Sequence, residues 1–145
     1  MVTISDKSVI RLHPLERQVL EKRLTLTERE LSAHDLQTLE IQLAQAIILS
    51  REMTGHGFYT RFFAGENCPR LPEKKSFWFG SVYADVPRLR HGAGFHLYIK
   101  EGAIDQLEGF CFDGHWPDPW PGQYDESEIY EVSEMPRSGK LETNQ

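Results

Sequence analysis

The sequence of 145 residues has only two cysteines, more acid than base, and no long apolar run. No stretch approaches the ~20 apolar residues that span a bilayer. Met1 to Lys7 has no apolar core of the kind a secretory signal carries. Both absences predict a chain that is neither membrane-spanning nor exported. Cys68 and Cys111 stand far apart and form no C-x-x-C pair. This predicts reduced thiols in a cytoplasmic protein. Sixteen Lys and Arg against 22 Asp and Glu give a net charge of −6. Nucleic acid is a poor partner for such a surface, because neutralising phosphates needs basic residues. Gly92-Ala93-Gly94 leads into a strand pattern and not into a helix, so it is no phosphate loop. No residue set forms a recognisable catalytic triad or cofactor motif, so no cofactor, metal or catalytic residue is assigned. The length suits one domain able to bury its own core.

What the sequence does contain centres on residues 91–112. Phe95, Leu97 and Ile99 alternate with His96, Tyr98 and Lys100, the period-2 signature of a half-buried strand. Glu101-Gly102 then separates two apolar runs and predicts a tight hairpin turn, for which Gly supplies positive φ. The return strand, Ala103 to Phe112, breaks alternation. Ile104 and Leu107 are three apart, which predicts a β-bulge near Asp105-Gln106.

Upstream, His13-Pro14 starts a helix, with Leu15, Val19, Leu20 and Leu24 as its apolar stripe. Glu16, Arg17, Glu21, Lys22 and Arg23 are placed on its other faces. Ser32-x-x-Asp35 marks the cap of a second helix running to Glu52 or Met53, with residues 27–31 as a short turn. Gly55 would end it. Leu36, Leu39, Leu43, Ala46, Ile47 and Ser50 share one face of this helix. Ile41, Ala44 and Ile48 form a second, so it needs cover on two sides. Val2 to Leu12 is read as a short strand or arm. Further strands are expected at Phe58–Phe63 and Phe77–Val86, with a loop over Ala64–Ser76. Three prolines between His115 and Gly122 exclude a central strand there. Trp116 and Trp120 are expected to lie against the body of the protein. The fold class is therefore α+β: N-terminal helices on one face of a small antiparallel β-sheet of three to five strands. Residues 1–122 form the domain. Residues 123–145, with six acids and two bases, form an acidic, disordered tail.

Several groups have chemistry to weigh. His91, His96, Cys111 and His115 cluster in sequence, but their spacings match no common zinc framework. Cys111 with His96 or His115, or Cys68 with His56, would make a thiol–imidazole pair, yet nothing marks an oxyanion hole. Glu108 on the return strand is a candidate buried carboxylate, with Arg61 or Arg90 as its expected partner. Aromatic residues are numerous: eight Phe, five Tyr and three Trp, concentrated between Phe58 and Trp120. Two helices on one side cannot cover both faces of a sheet. Tyr59, Trp78, Tyr98, Trp116 and Trp120, with Glu108, are therefore the candidate binding residues.

Three blocks together resemble a group of small bacterial proteins with no established activity. They are His13-Pro14-Leu15-Glu16-Arg17; Arg51-Glu52-Met53-Thr54-Gly55-His56-Gly57-Phe58-Tyr59-Thr60; and Gly92-Ala93-Gly94-Phe95, continuing through Leu107-Glu108-Gly109-Phe110 to Trp116-Pro117. The resemblance spans residues 12–120 and implies a bacterial cytoplasmic globular protein, with no catalytic residue to carry over.

The function expected is non-enzymatic protein binding, as in an immunity protein or inhibitor of a bacterial toxin. The acidic surface would steer a basic toxin domain. The alternatives are a small enzyme or ligand-binding protein with Glu108, His96 and Cys111 in one pocket, and a homodimer built on the two-faced helix 33–52.

Overall fold

The computed structural model describes residues 12–26, 31–79, 82–85, 88–112, 114–118, 120 and 131–134. The expected arm over Val2–Leu12 lies outside these except for Leu12, as does most of the turn at 27–31. Helix α1 spans Pro14–Leu26 and helix α2 spans Ala33–Gln45. The strands are β1 Ile47–Met53, β2 Gly57–Phe63, β3 Phe77–Trp78, β4 Val82–Asp85, β5 Ala93–Lys100, β6 Ala103–Cys111 and β7 Glu131–Glu134. The sheet is antiparallel, in the order β1-β2-β6-β5-β4-β7, with the short β3 also paired to β5. Both helices pack on one side: α1 over β4, β5 and β7, and α2 over β6. The class is α+β, as the sequence implies, but the sheet is wider than the three to five strands expected.

The extra width comes from two segments. The first is residues 47–53, which are a strand and not the end of the second helix. Ser32 caps α2 as expected, its hydroxyl accepting from the Asp35 N–H at 3.1 Å. The helix nevertheless stops at Gln45, and Ala46 is already extended, with ψ 146°. Ile47 and Ile48 are β-branched and favour a pleated surface. They pair with Phe63 and Phe62 of β2. Gly55, with φ +93°, thus serves the β1–β2 hairpin and not a helix terminus. The two-faced helix 33–52 does not exist, and Ile41 and Ala44 on α2 face outward. The second segment is β7, which pairs with β4. Four residues of the expected tail therefore lie in the sheet.

The central hairpin follows its sequence closely. Lys100 faces Ala103, and Glu101 and Gly102 both have positive φ, 51° and 82°, as a two-residue type I′ turn requires. Tyr98 faces Gln106 whereas Ile99 faces Ile104, so Asp105 is the extra residue of a bulge. Ile104, Leu107, Gly109 and Cys111 then all point to the core. The tip is pinned from α2. Buried Gln42 donates to the carbonyls of Pro69 (2.7 Å) and Gly102 (2.9 Å) and accepts from the Ile104 N–H (2.9 Å).

Leu15, Val19, Leu20 and Leu24 of α1 meet Phe58, Phe95, Leu97, Ile99 and Leu107 of the sheet in one core. The segment after β6 closes one end of it. Trp116 and Trp120 are buried there, with ring centroids 5.2 and 4.6 Å from that of Phe58. Gly109 makes room for this packing, because a Cβ there would lie 2.3 Å from the Phe58 ring. Among the described residues no helix is long and apolar enough to cross a membrane.

Candidate functional site: the helix-free face of the sheet

The face opposite the helices carries the side chains that alternate with the core. Register places them in cross-strand rows. One row is Trp78, Tyr98, Gln106, Arg61 and Ser50, running from β3 through β5, β6 and β2 to β1. The next is His96, Glu108, Tyr59 and Glu52. Adjacent positions in a row are about 4.8 Å apart, the strand spacing. The third holds Tyr83, Gly94, Phe110 and Gly57, with Phe112 beside it.

The face divides into two halves. On the β3–β5 side the aromatics touch in series. Trp78 lies 4.7 Å from Tyr98 and 6.0 Å from His96, and His96 lies 5.2 Å from Phe110. Phe110 and Phe112 are 5.5 Å apart, and Tyr83 stacks on Phe112 at 6.3 Å. Trp78 and Phe112 remain 48% and 49% exposed, a large apolar area to leave in water. On the β1–β2 side is a shallow depression of 330 Å³ lined by Ser50, Glu52, Tyr59, Arg61 and Gln106.

Tyr59 joins the halves. Its hydroxyl donates to the Glu108 carboxylate. The negative charge of Glu108 raises the phenol above its ordinary value near 10, with smaller contributions from burial, from the hydrogen bond itself and from Glu52. Glu108 is half-buried and bonded to Tyr59, not to the expected Arg61 or Arg90. Arg61 is 4.0 Å from Asp105 instead, the bulge residue having brought that carboxylate beside it.

Of the six candidate binding residues, the structure brings together Tyr59, Trp78, Tyr98 and Glu108. Trp116 and Trp120 are separated from them, buried beneath the opposite face. The proposed pocket of Glu108, His96 and Cys111 is also split. His96 and Glu108 face each other in register, but Cys111 points into the core. Its thiol donates to the Gly114 carbonyl at 3.6 Å and not to an imidazole. His56 and His115 lie nearby with near-parallel rings, and His56 Nδ1 is 2.8 Å from the same carbonyl. Among the described residues no three His, Cys, Asp or Glu side chains are grouped to hold a metal ion.

Sequence reasoning missed Phe110, Phe112 and Tyr83 on this face, and Glu52 beside it. Glu52 was hidden by its placement on a helix. Phe110 was readable once the bulge is accepted, since Gln106, Glu108 and Phe110 then alternate outward.

A second polar cluster lies on the core side. Glu16 is fully buried, not solvent-facing as its place on α1 suggests, and Arg23 is buried as well. The Glu16 carboxylate accepts from the Arg51 guanidinium, the Thr60 hydroxyl and the His13 backbone N–H (2.8 Å). His13 caps α1, its Nδ1 accepting from the Leu15 N–H at 3.0 Å. Its ring lies 4.6 Å from Trp120, and Arg51 lies over Trp120 at 5.3 Å. Burial, reinforced by the charges of Arg51 and Arg17, lowers the His13 pKa to about 4. These groups bond one another, and the arrangement is that of a structural tie between α1, β1 and β2.

Comparison with protein-family models, with curated proteins and with solved structures gave no match.

Proposed function

We propose that the chain is a non-enzymatic protein-binding protein that docks its partner on the helix-free face of the sheet. A toxin-neutralising role in the bacterial cytoplasm is the specific form this reading takes, with a basic toxin domain as the partner. The observation that carries it is the aromatic half of that face, where Trp78, Tyr98, His96, Phe110 and Phe112 form one connected surface with two rings half exposed. Aromatic anchors beside a polar rim are the usual anatomy of a protein interface. The charge supports a basic partner, since the whole chain carries −6. The resemblance of three sequence blocks to small bacterial proteins accords with the same reading.

The test compares affinity capture from the native host by wild type, by Trp78→Ala/Tyr98→Ala and by Gln37→Ala on the exposed side of α2. The expected result is one stoichiometric partner, retained by the α2 variant and lost by the double variant. No stoichiometric partner, or equal capture by all three, would overturn the reading.

A further inference from the structure

We infer that the open face engages its partner through an arginine side chain, stacked on Tyr98 and Trp78 and hydrogen-bonded to Glu108. This rests on reading that face as a protein-docking surface.

Charge is the first argument. Among the described residues neither Glu52 nor Glu108 has a cationic partner, although both stand in one row across β1, β2 and β6. Arg61, the neighbouring cation, is directed to Asp105. Tyr59 supplies one hydrogen bond to Glu108. A carboxylate has about four acceptor sites, so capacity remains.

Geometry is the second. Tyr98 faces Gln106, and Glu108 is the diagonal neighbour two residues along β6. Such diagonal positions are about 7–8 Å apart, within reach of long side chains. A guanidinium lying on the Tyr98 ring spans that separation and meets the carboxylate edge-on. Trp78, 4.7 Å from Tyr98 and half exposed, extends the platform.

Chemistry is the third. Arginine is planar, stacks on aromatic rings and pairs with a carboxylate in a two-pronged fork, whereas an ammonium is a strongly hydrated point charge. A phosphate or nucleic acid would meet two carboxylates and be repelled.

The experiment is a chemical-shift titration of the full-length protein with acetylated, amidated tri-arginine, tri-lysine and tri-glutamate. Tri-arginine is expected to shift resonances of residues 52, 59, 96, 98, 106 and 108, more tightly than tri-lysine, with no response to tri-glutamate. Glu108→Gln should weaken tri-arginine binding by about tenfold, the equivalent of one charge-assisted hydrogen bond. Unchanged spectra away from the substitution will show that the variant is folded. Shifts confined to residues 123–145, equal binding of tri-arginine and tri-lysine, or full binding by Glu108→Gln would each overturn the inference. If tri-arginine fails while Trp78→Ala/Tyr98→Ala still abolishes partner capture, arginine recognition falls and protein docking stands. If that double variant captures its partner normally, the docking reading itself falls.

Discussion

Glu16 and Arg51, 35 residues apart in the chain, form an ion pair in which the Glu16 side chain is wholly shielded from solvent and the Arg51 side chain is 19% exposed. The asymmetry sets the order of effects. Arg51→Ala leaves a buried carboxylate with only the Thr60 hydroxyl and the His13 N–H. It should cost about 3–5 kcal/mol, the usual penalty for breaking a buried pair from one side. Glu16→Gln leaves a cation that still reaches water, and should cost less, about 1–3 kcal/mol. Urea unfolding of the two variants will check the ranking. Equal losses would mean that the pair contributes no more than its hydrogen bonds.

The His13 cap gives stability a dependence on pH. The imidazole is held neutral, its pKa lowered to about 4 from an ordinary 6.5. Between these values the unfolded chain binds a proton that the folded chain does not. The contribution of His13 is therefore complete above pH 6.5 and declines as pH falls toward 4. Asparagine is also a good helix cap and does not titrate. His13→Asn keeps the cap but loses the ring contact with Trp120, so it should be somewhat less stable than wild type near pH 7 and yet lose less stability between pH 6.5 and 4. Thermal melts across that range will show whether the two curves separate.

Tyr59 reports on the open face without any partner present. Its phenol is raised above 10 chiefly by the charge of Glu108. Glu108→Gln should lower the midpoint of phenolate formation toward 10, and Glu52→Gln should lower it by a smaller amount. Resolved tyrosine resonances followed through alkaline pH provide the measurement. An unmoved midpoint in Glu108→Gln would mean that the two side chains do not interact in solution.

The bulge predicts an unusual tolerance. Deleting Asp105 leaves Ile104 opposite Ile99 and Gln106 opposite Tyr98, with Ile104 and Leu107 still directed inward. The expected loss is about 1 kcal/mol or less, that of an exposed ion pair, here the one with Arg61. Deleting Glu108 instead would leave the bulge in place, shift the following residues by one, and turn Phe110 toward the core and Cys111 away from it. That protein should fail to fold. Comparing the melting temperatures of the two deletions is a direct check.

These cases show which parts of the fold the sequence makes legible. The hairpin at 93–111 was readable because alternation, turn chemistry and bulge are all local. The first helix was readable from Leu15, Val19, Leu20 and Leu24, all of which are buried. Residues 47–53 were not, since a short apolar run fits a helix or a strand and the pairing with β2 decides. The isoleucines at 47 and 48 were the available signal. The strand expected over Phe77–Val86 is two short strands instead, β3 and β4, whose registers on β5 differ by one residue, so Trp78 and Tyr83 share a face that strict alternation denies them. The burial of Glu16 was not readable, because the partners that permit it are remote in sequence. Half of the candidate surface followed from alternation alone. The separation of Trp116 and Trp120 from it depended on how a proline-rich segment folds back.

Gln42 ties three parts of the chain with a single amide: helix α2, the 64–76 loop at Pro69, and the hairpin tip at Gly102 and Ile104. Each bond lies in or beside the core, so releasing any one strands a polar group away from water. Helix and hairpin tip therefore lack the freedom to open separately. In hydrogen exchange the Ile104 amide and the central amides of α2 should therefore open together, with a common opening free energy.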